Sequence, residues 1–307
     1  MKPADLLLGI LVTVIWGSNF SVIEAGLRDL DPFLLTSLRF TFTAFPMILF
    51  LRRPSDVSLA VLAAYGLLFG VGLWWVVNLA MALGLSPGLS SLVLQFSAFF
   101  TLILSAVILR ERIGRIPIVG MVVAAAGLLL VIAFTDGHKT LVGVALVLLA
   151  ALSWSACNLI VKRYKPADMI AFIVWSSVFS APVLFLLTWL KYGNAPFNGL
   201  LTGLTLRASA SVLFQAYVTT VFGYMVWNNL MKKYPASSVA PLSLIVPVSG
   251  VVTSYLVYHE TFAPMVWVGV VVMLVGVAIF VLGPRLGQPH LLWRSCRSRH
   301  GGEGSLP

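Results

Sequence analysis

The chain has 307 residues, 60% of them hydrophobic and 10% charged, with a mean hydropathy of +1.00 and a formal net charge of +10. So few charges cannot keep that much apolar surface in water, which excludes a soluble globular domain. The basic residues are scattered between apolar blocks rather than gathered on one face, which excludes a nucleic-acid surface, and Cys157 and Cys296 make no disulfide framework.

Lipid offers the backbone no hydrogen-bond partner, so each long apolar run must cross as a helix of about 20 residues. In chain order the runs fall at about 5–25, 32–51, 61–83, 89–109, 116–135, 141–161, 168–190, 208–230, 236–258 and 264–283. The first run is expected to stay as a helix, because it carries Trp16 and Asn19 and shows no small-residue cleavage site before Arg28. With the N-terminus inside, the inner segments hold 15 Lys and Arg residues and the outer segments 4. That bias predicts two cytoplasmic termini and accounts for most of the net charge. The expected fold is therefore all-α and polytopic, with ten transmembrane helices.

A shift of 149 residues superposes Ser105 on Ser254, Glu111 on Glu260, Gly120 on Gly269 and Gly127 on Gly276. The expected organisation is one five-helix repeat over 1–135, a second over 141–283, and a basic, disordered cytoplasmic tail over 284–307. An odd number of crossings per unit turns the second unit upside down, the arrangement from which many transporters build two states open to opposite sides. Each glycine pair is spaced by seven residues and so lies on one helix face suited to close packing. Whether that packing occurs within one subunit or in a homodimer is not readable from the sequence.

Polar side chains at membrane depth are costly and mark where function should be sought. Asn19, Asn78, Gln95 and Gln215 share one layer slightly outside the midplane, with Arg39 close to the same depth. The layer is expected to be the wall of a hydrated cavity; each amide could alternatively serve a neighbouring carbonyl. Arg39 has no carboxylate at its depth, so helix-end carbonyls and water, or a substrate carboxylate, must satisfy it. Trp16 and Trp154, on the faces of Asn19 and Asn158, can line a small-molecule cavity or pack internally. Pro241 and Pro247 free the carbonyls of Ser237 and Ser243, making a flexible gate or an ordinary kink. Glu111 and Glu260 end helices beside Arg110, Arg112 and His259 and read as ion pairs or gate latches. There is no metal-ligand cluster, phosphate loop or catalytic carboxylate pair, so neither an enzyme nor a bound cofactor is expected.

Trp16-Gly-Ser-Asn-Phe20, Arg39-Phe40, the run from Ala240 to Pro247, and Glu260, Gly269 and Gly276 together resemble the EamA family of the drug/metabolite transporter superfamily. The stretches from Gly88 to Thr101 and from Val239 to Val248 are more closely similar to members that export cysteine and O-acetylserine. The resemblance implies ten helices, a central cavity between the repeats, and export of amino acids or related metabolites across a bacterial inner membrane. It supports Trp16, Asn19, Gln95 and Pro247 as motif positions. With Asn78, Trp154, Asn158, Gln215 and Ser243 these form the expected substrate-binding set, for a small and zwitterionic partner. Export of hydrophobic cations, or a scaffold or sensor that transports nothing, are the rival expectations.

Overall fold

The computed structural model describes residues 1–109, 114–134, 138–198, 200, 204–234, 239, 242–243, 245–261 and 263–286. Among these residues the regular structure is helical, with no strand. Helix starts follow local chemistry. α1 (Pro3–Leu27) opens on a proline whose missing N–H falls where none needs a partner. α2 (Pro32–Ala44) is capped by Asp31, which accepts from Phe33 N at 2.8 Å, and Met47–Leu49 extends it as a 3₁₀ turn. Ser58 caps α3 (Leu59–Ala82), Ser86 caps α4 (Pro87–Ile108) and Asp168 caps α7 (Met169–Tyr192). Between them run α5 (Arg115–Phe134) and α6 (His138–Tyr164). Thr205 caps α8 (Leu206–Trp227), which continues as helix to Lys233. The last two are α9 (Ile245–Tyr258) and α10 (Pro264–Leu286).

Seven helices, α1, Pro32–Leu49, α3, α4, α6, α7 and α8, are long and apolar enough to cross a membrane. The apolar stretches of α5, α9 and α10 are shorter. The protein is an all-helical, multi-pass membrane protein. Its proximal end carries the start of α1, where Asp5 accepts from Lys233 Nζ at 2.6 Å, and Asp56, which accepts from Ala167 N at 2.7 Å. At the distal end Asp29 pairs with Arg207 and accepts from Thr205 Oγ1 at 2.5 Å, and Tyr192 donates to Asp31 at 2.7 Å. Hydrogen bonds from Arg207 first, and Thr205 second, hold the Asp29 carboxyl down at about 2.

Two features depart from straight α-helices packed side by side. α3 and α8 each contain nine π-helical residues, Leu67–Trp75 and Phe214–Phe222. π-turns widen a helix and re-aim its side chains, which is why they concentrate at functional sites. α5 and α10 cross at backbone contact: a Cβ added at Gly127 would stand 2.4 Å from Met273 N and 2.7 Å from Gly269 O. One at Gly120 would meet Phe280 N at 2.5 Å and Gly276 O at 2.7 Å. The two glycine faces therefore pack on each other within one chain.

Across the expected helix 9 the described residues show Leu242 and Ser243 in a 3₁₀ turn followed by α-helix from Ile245, with Pro247 near the start of that α-helical segment. Pro241 and Glu111 lie outside the described residues, as does the tail beyond Leu286.

Candidate functional site: an aromatic cavity reaching toward the proximal end

A cavity of about 490 Å³ lies among α1, α3, α4, α6 and α8. It runs from mid-bundle, at Trp74 and Gln95, to the proximal end, at Val161, Met169 and Trp227. Rings make most of its wall: Trp16, Phe20, Tyr65, Trp74, Trp154, Tyr224 and Trp227. Trp16 contacts Tyr224 and Trp227 at centroid distances of 5.2 and 5.3 Å, and Trp154 meets Tyr224 edge-on at 6.2 Å. Tilted and edge-on pairs of this kind stabilise by about 0.5–1.5 kcal/mol beyond their buried area. The Trp16 indole N–H donates to the carbonyl of Thr219 at 3.0 Å, so the π-helical segment of α8 anchors this ring.

Polar atoms are few and spread around the rings. Gln95 and Ser97 come from α4, Asn158 from α6, Thr219 from α8 and Ser243 from the turn before α9. Asn158 Nδ2 donates to Thr101 Oγ1 at 3.2 Å, which orients its amide. Among the described residues lining the cavity none is charged. Such a site can seat a molecule with an apolar body and hydrogen-bonding ends.

The structure brings Trp16, Gln95, Trp154, Asn158 and Ser243 to this cavity and leaves Asn19, Asn78 and Gln215 outside its wall. All three are fully buried between helices. Asn19 Oδ1 accepts from Thr219 Oγ1 at 3.0 Å, Asn78 Nδ2 donates to Thr36 Oγ1 at 2.9 Å, and Gln215 Nε2 donates to Ser211 Oγ at 3.0 Å. The amide layer is thus not one wall: residues at one depth point in different directions around their helices. Arg39 is also fully buried, donating to Thr220 Oγ1 at 3.1 Å and Gln215 Oε1 at 3.4 Å, and it does not line the cavity. Tyr224, Trp227 and Trp74 are lining residues that the sequence reading missed. Their signal was available: large aromatics well inside a span, with Tyr224 and Trp227 three residues apart on one face of α8.

Glu260 occupies a separate place at the distal end. Its carboxylate accepts from Ser254 Oγ and stands against the first turn of α4, where a Cβ added at Gly88 would lie 3.1 Å from Oε2, while Oε1 is buried without a hydrogen-bond partner. The positive end of the α4 dipole favours the anion there. The partner of the Glu260 carboxylate is a hydroxyl, and burial, the largest influence, pushes the carboxyl above its ordinary value. A distal cavity of about 410 Å³ is lined by Glu24, Arg28, Ser86, Ser254, Tyr258 and Glu260, among others.

Among known proteins, the model of the EamA-like transporter family matches residues 4–133 and 141–282. A protein of Salmonella typhimurium named "Probable amino-acid metabolite efflux pump" is 36% identical over 293 residues, covering 93% of this chain and 97% of the relative. Its namesake in Escherichia coli is 35% identical with the same coverage. A "Probable terminal-alkyne amino-acid exporter" of Streptantibioticus cattleyicolor is 28% identical, covering 91% of this chain and 94% of the relative. One solved crystal structure superposes with a TM-score of 0.58 at 18% identity, over 93% of this chain and 100% of that one, which speaks to the fold alone. With most of its length matched in two consecutive units, the chain belongs to the EamA-like transporter family.

Proposed function

We propose that the protein exports amino acids and small amino-acid derivatives across a bacterial inner membrane, by alternating access between two inverted five-helix repeats with both termini cytoplasmic. The observation that carries this reading is the aromatic cavity, uncharged among its described lining residues, which runs from mid-bundle toward the proximal end. A zwitterion with an apolar side chain matches it: the rings take the body, and Gln95, Asn158 and Ser243 offer donors and acceptors to the head. Relatives named for amino-acid export support the cargo class.

The repeat is supported by reciprocal contacts. Gly120 meets Gly276 and Gly127 meets Gly269, while Gly269 and Gly276 are themselves the repeat counterparts of Gly120 and Gly127. Reciprocal pairing is what a two-fold axis produces. Likewise α1 packs on α9 as α6 packs on α4, and α3 and α8 carry π-helical segments of equal length. Two similar halves related in this way supply two states of similar energy, one open to each side. The proximal end is then the cytoplasmic loading side, and Glu260 is the distal gate latch.

The ring-rich wall favours a second reading, export of hydrophobic cations, since aromatic faces attract cations. Transport assays in proteoliposomes with labelled cysteine, O-acetylserine, glutamine, phenylalanine and a quaternary ammonium ion separate the two. Flux of amino acids but not of the quaternary ion is expected; flux of the ion alone overturns the proposal.

A further inference from the structure

We propose that Arg39 sets the charge selectivity of the cavity, acting as a positioning residue through the Trp74 wall: it strengthens binding of cargo that bears a carboxylate and opposes cargo with a net positive charge. The inference rests on the exporter reading and deepens it.

The guanidinium carbon of Arg39 lies 4.0 Å from the centroid of the Trp74 ring, and Trp74 lines the cavity. One indole therefore separates a buried cation from the cargo space. The partners of that cation are neutral: Thr220 Oγ1 at 3.1 Å, Gln215 Oε1 at a long 3.4 Å, and none for Nε. Among the described residues no carboxylate pairs with Arg39. The described acidic residues, Asp5, Glu24, Asp29, Asp31, Asp56, Asp168 and Glu260, lie in loops or toward helix ends, and none of them lies near mid-span. A buried charge without a counter-charge is costly unless something outside the protein compensates it.

Two consequences follow at the wall. The face of Trp74 turned to Arg39 is already engaged by a cation, so this ring makes a poor cation platform on its cavity side. A carboxylate in the cavity at the positive edge of this ring, about 8 Å from the guanidinium, would feel an attraction that at an effective dielectric of about 20 changes an affinity on the order of tenfold. The other rings, Trp16 and Trp154 among them, are left to hold the apolar body.

The test uses three probes with one leucine side chain and three charges, leucine, leucinamide and N-acetylleucine, binding to the purified full-length protein as followed by tryptophan fluorescence. In the native protein the amide, a cation, is expected to bind on the order of tenfold more weakly than leucine, and the N-acetyl anion at least as well as leucine. Arg39→Gln should collapse this ranking, while Arg39→Lys, which keeps the charge, should restore it. A purely structural role would weaken all three probes together and leave their order unchanged. A native protein that binds leucinamide as well as leucine overturns the inference even if Arg39→Gln fails to fold, as does an unchanged ranking in a folded Arg39→Gln. Absence of binding by all three probes overturns the exporter reading and this inference together.

Discussion

Gln95 and Asn158 present amides to the cavity, while Asn78 uses its own to hold α3 on α2 through Thr36. Substitution should separate the two roles. Gln95→Ala and Asn158→Ala are each expected to cut transport up to about tenfold with folding intact, the worth of one hydrogen bond to a polar cargo. Asn78→Ala should instead lower stability by about 1–2 kcal/mol, from a lost buried hydrogen bond and a small void, read as a lower Tm in detergent. The depth of these amides was legible in the sequence, because rise per residue is fixed once a span is bounded. Their direction was not. Trp16 and Asn19 are three residues apart, about 60° around the helix, and that angle puts the indole on the cavity and the amide against Thr219. Tyr224 and Trp227 went unread because a large ring inside a span is equally an ordinary packing residue until its neighbours are known.

At the scale of elements, boundaries were legible wherever a capping residue precedes an apolar run, as at Asp31, Ser58, Ser86 and Asp168. The π-helical segments of α3 and α8 were not, since a change of hydrogen-bond register has no residue pattern of its own. The glycine faces were read as packing surfaces, and a branched side chain should disrupt them. Gly127→Val would push a Cβ to 2.4 Å from Met273 N, and is expected to cost about 1–3 kcal/mol, measured as a fall in Tm. The Glu260 junction yields a pH prediction. Burial raises this carboxyl, so Glu260 takes up its proton at a higher pH than an exposed glutamate. The anion accepts from Ser254 beside the first turn of α4, so if this junction latches the distal end, the latch is closed above the raised value and loosens as pH falls through it. Glu24, Arg28 and Tyr258 share the distal cavity with it, and His259 is the adjacent residue. Transport measured across acid to neutral pH should lose its pH dependence in Glu260→Gln, which behaves throughout like the protonated protein; an unaltered profile contradicts the latch.

For the whole molecule, the account depends on two halves of one chain inserted in opposite senses around a shared cavity. The crossing of α5 and α10, the matched packing of α1 on α9 and α6 on α4, and the paired π-helical segments agree with that symmetry. The repeat units differ in sequence at the cavity: Gln95 on α4 has Leu244 as its counterpart 149 residues on. The most direct measurement places repeat-equivalent positions on their sides of the membrane. Arg112→Cys and Thr261→Cys, 149 residues apart, would each be introduced singly into a Cys296→Ser background, with Cys157 buried. Labelling in intact cells with a membrane-impermeant thiol reagent should modify Thr261→Cys from outside and reach Arg112→Cys only after the membrane is opened. Modification of both positions from the same side would contradict the inverted arrangement and with it the alternating-access mechanism.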